Sequence, residues 1–320
     1  MSNFNPLTDI PSLTGKVAIV TGGNRGMGFH ISQQLANHGA KVYIAARSES
    51  SAMEAIRRIE SENSATKNSV FYLNLDLSTL KGAQEAGKIF SQSESRLDIL
   101  IHNAGLMSHP YAQTADGLED TFAVNHLAPF VLTKGLLPTL LSTAKDPNAD
   151  VSSEIHPQAP EGGKIFTVDE INSPCASPMF RDWLKGRYAR YARSKLANIL
   201  FAKQLQKEFD ASSVPALAIS INPGGVATDT VLNNMGSVVL FGPLLRFLVG
   251  RLAKTPLEGA ATALFAATSP QVRAQSKDFA GAYLIPYGKP TLGSKDSQDV
   301  KLAEKLWKAS DEISAAVLNK

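Results

Sequence analysis

Lys16-Val-Ala-Ile-Val-Thr-Gly-Gly-Asn-Arg-Gly-Met-Gly28 is the stretch on which the fold turns. Lys16 to Val20 is a short, almost wholly apolar run, the pattern of a parallel strand buried on both faces. A glycine-rich turn follows, and the helical spacing of Met27 to Asn37 begins at once. Gly22, Gly26 and Gly28 permit a tight turn and close approach of the backbone to a ligand. The helix start behind them offers free N–H groups and a positive dipole end to an anion. A strand, a glycine turn and a helix in that order predict a pyrophosphate cradle built from Gly22, Asn24, Arg25, Gly26, Met27 and Gly28.

The same alternation runs outward from this unit. Lys41 to Ala45, Val70 to Leu75 and Leu97 to His102 are further apolar runs of strand length. Ser51 to Glu62 and Leu80 to Ser91 carry apolar residues at helical spacing. Later come a long helical stretch, Tyr188 to Phe209, and two more strands, Ala216 to Asn222 and Ala282 to Ile285. This alternation predicts an α/β fold with a doubly wound parallel sheet. No internal repeat and no Gly/Ser-rich linker divides the chain. The expected layout is an extension over 1–14, one domain over 15–290 with a lid at about 229–256, and a helical tail over 291–320. The tail, Gln298 to Leu318, reads as a mostly polar surface helix.

Composition narrows the function classes. The 320 residues are 43% hydrophobic, enough for a large core, and the net charge is only +3. A small, scattered excess does not point to nucleic acid. Cys175 is the single cysteine, so no internal disulfide forms and a reducing, cytoplasmic setting is expected. The six histidines show no metal-ligand spacing, and no metal is expected. Met1 to Leu13 lacks the apolar core of a signal peptide. Gly236 to Leu252 is apolar but broken by Pro243, Arg246 and Arg251, so no transmembrane segment is expected.

The second strand is followed by Ala45-Ala-Arg47. An acid at this place would accept hydrogen bonds from a ribose 2′-hydroxyl. A guanidinium there, with Arg25 in the turn, suits a 2′-phosphate and favours NADP(H) over NAD.

Tyr191-Ala-Arg-Ser-Lys195 carries the strongest chemical signal. Tyrosine and lysine at i and i+4 lie on one helix face. A nearby ammonium and a cationic nicotinamide would draw the phenol pKa down from its reference of about 10, making it an acid/base near working pH. Tyr188 competes, but Ala192 stands four residues after it.

The turn Thr21-Gly-x-x-x-Gly-x-Gly28, Asn103-Ala-Gly105, the Tyr191–Lys195 pair and Asn222-Pro-Gly-Gly225 together resemble the short-chain dehydrogenase/reductase family. The likeness runs from Gly15 to about Pro286. Ser194-Lys-Leu-Ala-Asn-Ile-Leu-Phe201 is similar to its retinol-dehydrogenase-like and fungal branches. The resemblance implies a Rossmann fold and an NADP(H)-dependent oxidoreductase that interconverts an alcohol and a ketone or aldehyde. It implies catalytic roles for Asn125 (holding a relay water), Ser153 (polarising the substrate oxygen), Tyr191 and Lys195. It implies cofactor contacts at Asp76 and Leu77 for the adenine, at Asn103, Ala104 and Gly105, and at Pro223, Gly224, Val226 and Thr228 for the nicotinamide and pyrophosphate. Tyr191 and Lys195 would touch the cofactor as well. The apolar lid position implies a lipophilic small-molecule substrate: a steroid, a retinoid or a polyketide-like compound. Peripheral membrane contact through the lid, a homodimer and a place in secondary metabolism are further expectations.

The fifth strand breaks the pattern. The family's serine follows an apolar strand, but Ser152-Ser153 follows Ala144-Lys-Asp-Pro-Asn-Ala-Asp-Val151. Asp, Pro and Asn cannot build a central buried strand. Either the strand is shortened before Ser153, or Lys164-Ile-Phe-Thr-Val168 supplies it and Asp169 and Glu170 replace the serines. The broken strand also motivates a second functional expectation: a nucleotide-binding protein with lost or non-redox activity.

Overall fold

A computed structural model describes residues 4–107, 109–146, 152–155, 165–177, 182–226 and 254–320. Eight strands form one sheet: β1 (Val17–Thr21), β2 (Lys41–Ala46), β3 (Val70–Asn74), β4 (Ile99–His102), β5 (Ser152–Ile155), β6 (Leu217–Ile221), β7 (Tyr283–Ile285) and β8 (Lys289–Thr291). Their order is β3-β2-β1-β4-β5-β6-β7-β8. All neighbours are parallel except the antiparallel β7–β8 pair. The order reverses between β1 and β4, and ligands of such sheets bind at the carboxyl ends beside that reversal.

Helices cover both faces: α1 (Gly26–Asn37), α2 (Glu49–Glu62), α3 (Leu80–Ser93), α4 (Asp120–Ala144), α5 (Val168–Ile171), α6 (Leu184–Ala211), α7 (Pro256–Thr268) and α8 (Val300–Leu318). Strand alternation sorts the core into two layers. Val17, Ile19, Tyr43, Ala45, Leu100 and Ala218 face α3, α4, α6 and α8. Ala18, Val20, Val42, Ile44, Ile101 and Ile219 face the layer of α1, α2 and α7. α4 is 25 residues long and apolar, but 61% of its most apolar stretch is buried inside the protein, which makes it a core helix.

Asp98 pins the amino edge of the sheet. It is fully buried, accepts from Val17 N at 2.9 Å, and takes a two-pronged bond from Arg96 at 2.7 Å on each oxygen.

Two expectations need correction. The segment after Lys164 is not the fifth strand. Thr167 and Glu170 form a reciprocal capping box that starts α5 at Val168, so the first free N–H groups of a helix are satisfied there. β5 is the short run Ser152–Ile155, paired with β4 and β6. Nor is the tail a polar surface helix: α8 buries Ala303, Leu306, Ala309 and Ile313 at helical spacing. Trp307 packs edge-on to Phe130 at 5.0 Å and stacks on Phe201 at 5.7 Å. Thr228 and the lid positions 229–253 lie outside the described residues.

Candidate active site

The glycine turn is held open by the end of β4. Gly22 and Gly26 adopt φ of +64° and +56°, which favour glycine. A Cβ on Gly28 would stand 2.2 Å from the Gly22 carbonyl oxygen and 2.4 Å from the Asn103 amide. Asn103 Nδ2 donates to the carbonyls of Thr21 at 2.9 Å and Gly22 at 3.3 Å, and Ala104 N donates to Thr21 Oγ1 at 3.0 Å. Asn103 and Ala104 therefore shape the cradle from behind, with their polar groups spent on the protein. Asn24 ties the turn to α2 through Ser51 Oγ at 2.8 Å. Arg25 and Arg47 are exposed, and among the described residues neither has an ionic partner. Free N–H groups at the start of α1 and two unpaired guanidiniums fit a phosphate-rich nucleotide.

Asp76 lies two residues past β3, not at its end. Its Oδ1 accepts from Ser78 N at 2.9 Å and Ser78 Oγ at 2.7 Å, a local turn that fixes the carboxylate. Leu77 beside it is buried. Past β6, Gly224 has φ of +81°, and its N–H donates to Asn222 Oδ1 at 2.8 Å. The phosphate turn and this second loop meet over Gly259 in α7. A Cβ there would stand 2.6 Å from Val226 and 2.8 Å from Met27 Sδ. Sequence reading missed Gly259; the signal was a glycine inside an apolar helix, which costs about 1 kcal/mol and asks for a reason.

The side chains expected to react, Asn125, Tyr191 and Lys195, come from α4 and α6. Ala123–Leu127 is a π turn, in which Ala128 N–H reaches back to the Ala123 carbonyl. Pro129 brings no N–H, so the Asn125 carbonyl lacks its ordinary i+4 donor. The Asn125 amide is fully engaged. Its Oδ1 accepts from Leu106 N at 2.7 Å, and its Nδ2 donates to Leu106 O at 2.9 Å and Ser194 Oγ at 3.0 Å.

Lys195 is buried, and a Cβ on Gly105 would lie 3.7 Å from its Nζ and 3.1 Å from Asn125 Oδ1. Gly105 thus leaves the space into which the ammonium reaches. The Lys195 Nζ stands 5.2 Å from the Tyr191 ring centre. Loss of water contact pushes Lys195 down to about 7 and Tyr191 up to about 12. The phenol stands above its ordinary value because burial disfavours the phenolate, and the neighbouring Tyr188 and Tyr283 add to the rise.

The structure brings Asn125, Tyr191, Lys195 and Gly105 together at the carboxyl edge of the sheet. For Ser153 only the backbone is described. Ser153 pairs with Leu100 and Ala218, as the second residue of β5. Asn103 is three residues beyond Leu100, so the offset along the strand is about 10 Å at 3.3 Å per residue. The residues ahead of Ser152 offer no apolar run of strand length, and positions 147–151 lie outside the described residues.

A second set of buried residues, Glu119 with Arg190 and Arg193 of α6, was not singled out from sequence. Among the described residues no cluster of three His, Cys, Asp or Glu could hold a metal.

Comparison with known proteins agrees with this geometry. The short chain dehydrogenase family profile matches residues 16–156. A short chain dehydrogenase/reductase of Colletotrichum higginsianum, dpchH, is 41% identical over 306 residues, covering 94% of this chain and 75% of that protein. A polyprenol dehydrogenase of Danio rerio is 34% identical over 307 residues, covering 95% and 88%. The crystal structure of a short chain dehydrogenase of Shigella flexneri 2a complexed with NADP superposes with a TM-score of 0.61 at 22% identity, covering 87% of this chain and 98% of that one. The folded glycine cradle, the Tyr191–Lys195 helix and these likenesses lead to one conclusion: the chain belongs to the short-chain dehydrogenase/reductase family.

Proposed function

We propose that this family member is an NADP(H)-dependent oxidoreductase interconverting an alcohol and a ketone or aldehyde on a lipophilic small molecule, with Tyr191 as its acid/base. The observation that carries the proposal is the convergence of Tyr191, Lys195 and the Asn125 turn beside Gly105. Arg25 and Arg47 support NADP over NAD, as does the NADP complex of the Shigella flexneri neighbour.

The bound nicotinamide would supply or accept the hydride. Tyr191 would pass a proton to the carbonyl oxygen in reduction and take it back in oxidation. Lys195, with its pKa near neutrality, would hold the nicotinamide ribose and, when charged, draw the Tyr191 pKa down from its buried value. The Asn125 carbonyl, stripped of its helical donor by Pro129, would hold the relay water behind Lys195. Ser153 takes no part in this reading, a choice that its backbone pairing with Leu100 supports.

The apolar stretch Gly236 to Leu252 and the polyprenol dehydrogenase relative support a lipophilic substrate. Exposed Tyr188, one helical turn before Tyr191, gives the entrance an aromatic wall. The lone cysteine fits a cytoplasmic setting.

A second reading is a nucleotide-binding protein without redox activity, and the displaced β5 favours it. One experiment separates the two. Nicotinamide fluorescence is titrated with NADPH and NADH, with Arg47→Asp alongside, and turnover of 9,10-phenanthrenequinone is followed. Tight NADPH binding that Arg47→Asp weakens at least tenfold, with quinone reduction, supports the enzyme. Binding without turnover of this or any lipophilic ketone or alcohol gives the second reading. Absence of binding sinks both.

A further inference from the structure

Glu119 and Arg190 are fully buried, and Arg193 nearly so. Removing charges from water is costly, and a buried ion cluster is weak support for stability by itself. Its geometry points to another role. Arg190 Nε stands 3.4 Å from Glu119 Oε1, and Arg193 Nη2 stands 3.7 Å from Glu119 Oε2. The same carboxylate caps α4, accepting from Phe122 N at 2.8 Å and Thr121 N at 3.2 Å. Burial pushes the Glu119 carboxyl up, while the Phe122 N–H and the Arg193 charge oppose that shift.

The two arginines bracket Tyr191 and lie one turn apart on α6. Their other N–H groups point inward. Arg190 donates to Pro174 O at 3.0 Å and His109 O at 2.9 Å. Arg193 donates to Glu170 O at 2.7 Å and Ile171 O at 2.6 Å, the last carbonyls of α5. With these bonds directed into the protein, the cluster is not arranged as an external anion site. What it joins is the first turn of the helix that carries Asn125 and the turn of the helix that carries Tyr191.

We propose that Glu119 is a positioning residue: through Arg190 and Arg193 it fixes the rotation of α6 about its axis against the Asn125 turn, and so sets where Tyr191 and Lys195 point. A tyrosine hydroxyl lies roughly 9 Å from its helix axis, so a 10° rotation moves it about 1.5 Å. Misplacement by about 1 Å can cost a hundredfold in rate. Glu119 acts through two other side chains and touches no reacting atom. The proposal rests on the reading of Tyr191 as the acid/base.

Glu119→Gln keeps the shape and an acceptor oxygen but removes the charge. With NADPH and 9,10-phenanthrenequinone, kcat should fall at least fivefold while the NADPH Kd stays within twofold. A smaller fall in kcat, or a Kd that moves with it, overturns the proposal. If Glu119→Gln does not fold, Arg193→Lys, which keeps charge but loses the fork, is read by the same thresholds. Hydrogen exchange followed by mass spectrometry gives a readout that needs no turnover. Residues 120–128 and 186–196 should lose protection together in the variant, while β1 and β2 keep theirs. Loss in one segment alone, in neither, or throughout the protein overturns the coupling. A wild-type protein that reduces no ketone would sink the reading of Tyr191, and the exchange result would still decide the coupling.

Discussion

Asn125 donates from Nδ2 to the Ser194 hydroxyl at 3.0 Å, and that hydroxyl donates to the Tyr191 carbonyl at 2.7 Å. The π turn of α4 is thereby bonded to the turn of α6 that holds Tyr191, the proposed acid/base. Asn125→Ala breaks this link and strips Leu106 N–H of its acceptor. Loss of a buried partner costs about 1–3 kcal/mol. Turnover of 9,10-phenanthrenequinone should fall at least tenfold with NADPH affinity within threefold. Unchanged turnover would show that the Asn125 side chain does not hold the Tyr191 turn in place for reaction.

Lys195→Met should inactivate and stabilise at once. The lysine of the unfolded chain keeps its proton up to about 10.5, whereas in the fold it gives the proton up near 7. Between those values the unfolded state binds more protons, so stability rises with pH. The burial cost is therefore full below pH 7 and gone by pH 10.5. The variant should be more stable than wild type at pH 6, by up to about 5 kcal/mol at 1.36 kcal/mol per pKa unit. Urea melts at pH 6 and pH 10 check this; a gap that does not narrow at the higher pH refutes the buried ammonium. Activity should fall at least a hundredfold.

Gly28→Ala places a methyl group 2.2 Å from a backbone oxygen that belongs to the cradle itself. Neither Gly22 nor the bonded Asn103 can yield without opening the turn. Overpacking of this kind costs about 1–3 kcal/mol. The NADPH Kd should rise at least tenfold. Thermal melting with and without NADPH measures both effects, and retention of wild-type affinity would show that the turn does not carry the nucleotide.

Ser153→Ala should change kcat by less than threefold, because the backbone of Ser153 sits about 10 Å down β5 from the level of Asn103. Removal of a donor to the developing oxyanion ordinarily costs a hundredfold or more. A loss of that size would mean that β5 runs further toward the carboxyl edge than its pairing with Leu100 implies.

Asp98→Ala tests the opposite end of the sheet. It leaves Val17 N–H unpaired and the Arg96 guanidinium without its buried partner. Breaking a buried pair costs about 3–5 kcal/mol. The urea midpoint should drop accordingly, with the NADPH Kd of the folded fraction unchanged; a midpoint close to wild type refutes this anchor.

The sequence by itself determined the parallel sheet, the glycine turn and the shared helix face of Tyr191 and Lys195. These are local matters. A strand buried on both faces is apolar at every position, a tight turn before a helix needs glycine, and i,i+4 spacing places Tyr191 and Lys195 on one face. The capping box at Thr167 and Glu170 was legible in the same way, though the strand-like Ile165-Phe166 masked it. Only the tertiary structure decided the rest. Where Ser153 falls depends on pairing with β4 and β6, because strand register is set between segments. The buried face of α8 becomes meaningful only against Phe130 and Phe201. The pKa values of Tyr191 and Lys195 follow desolvation, which depends on every element packed around them. Glu119, Arg190 and Arg193 read as ordinary surface charges until folding takes all three out of water. The 70 residues between Glu119 and Arg190 carry no periodic signal that could announce their meeting.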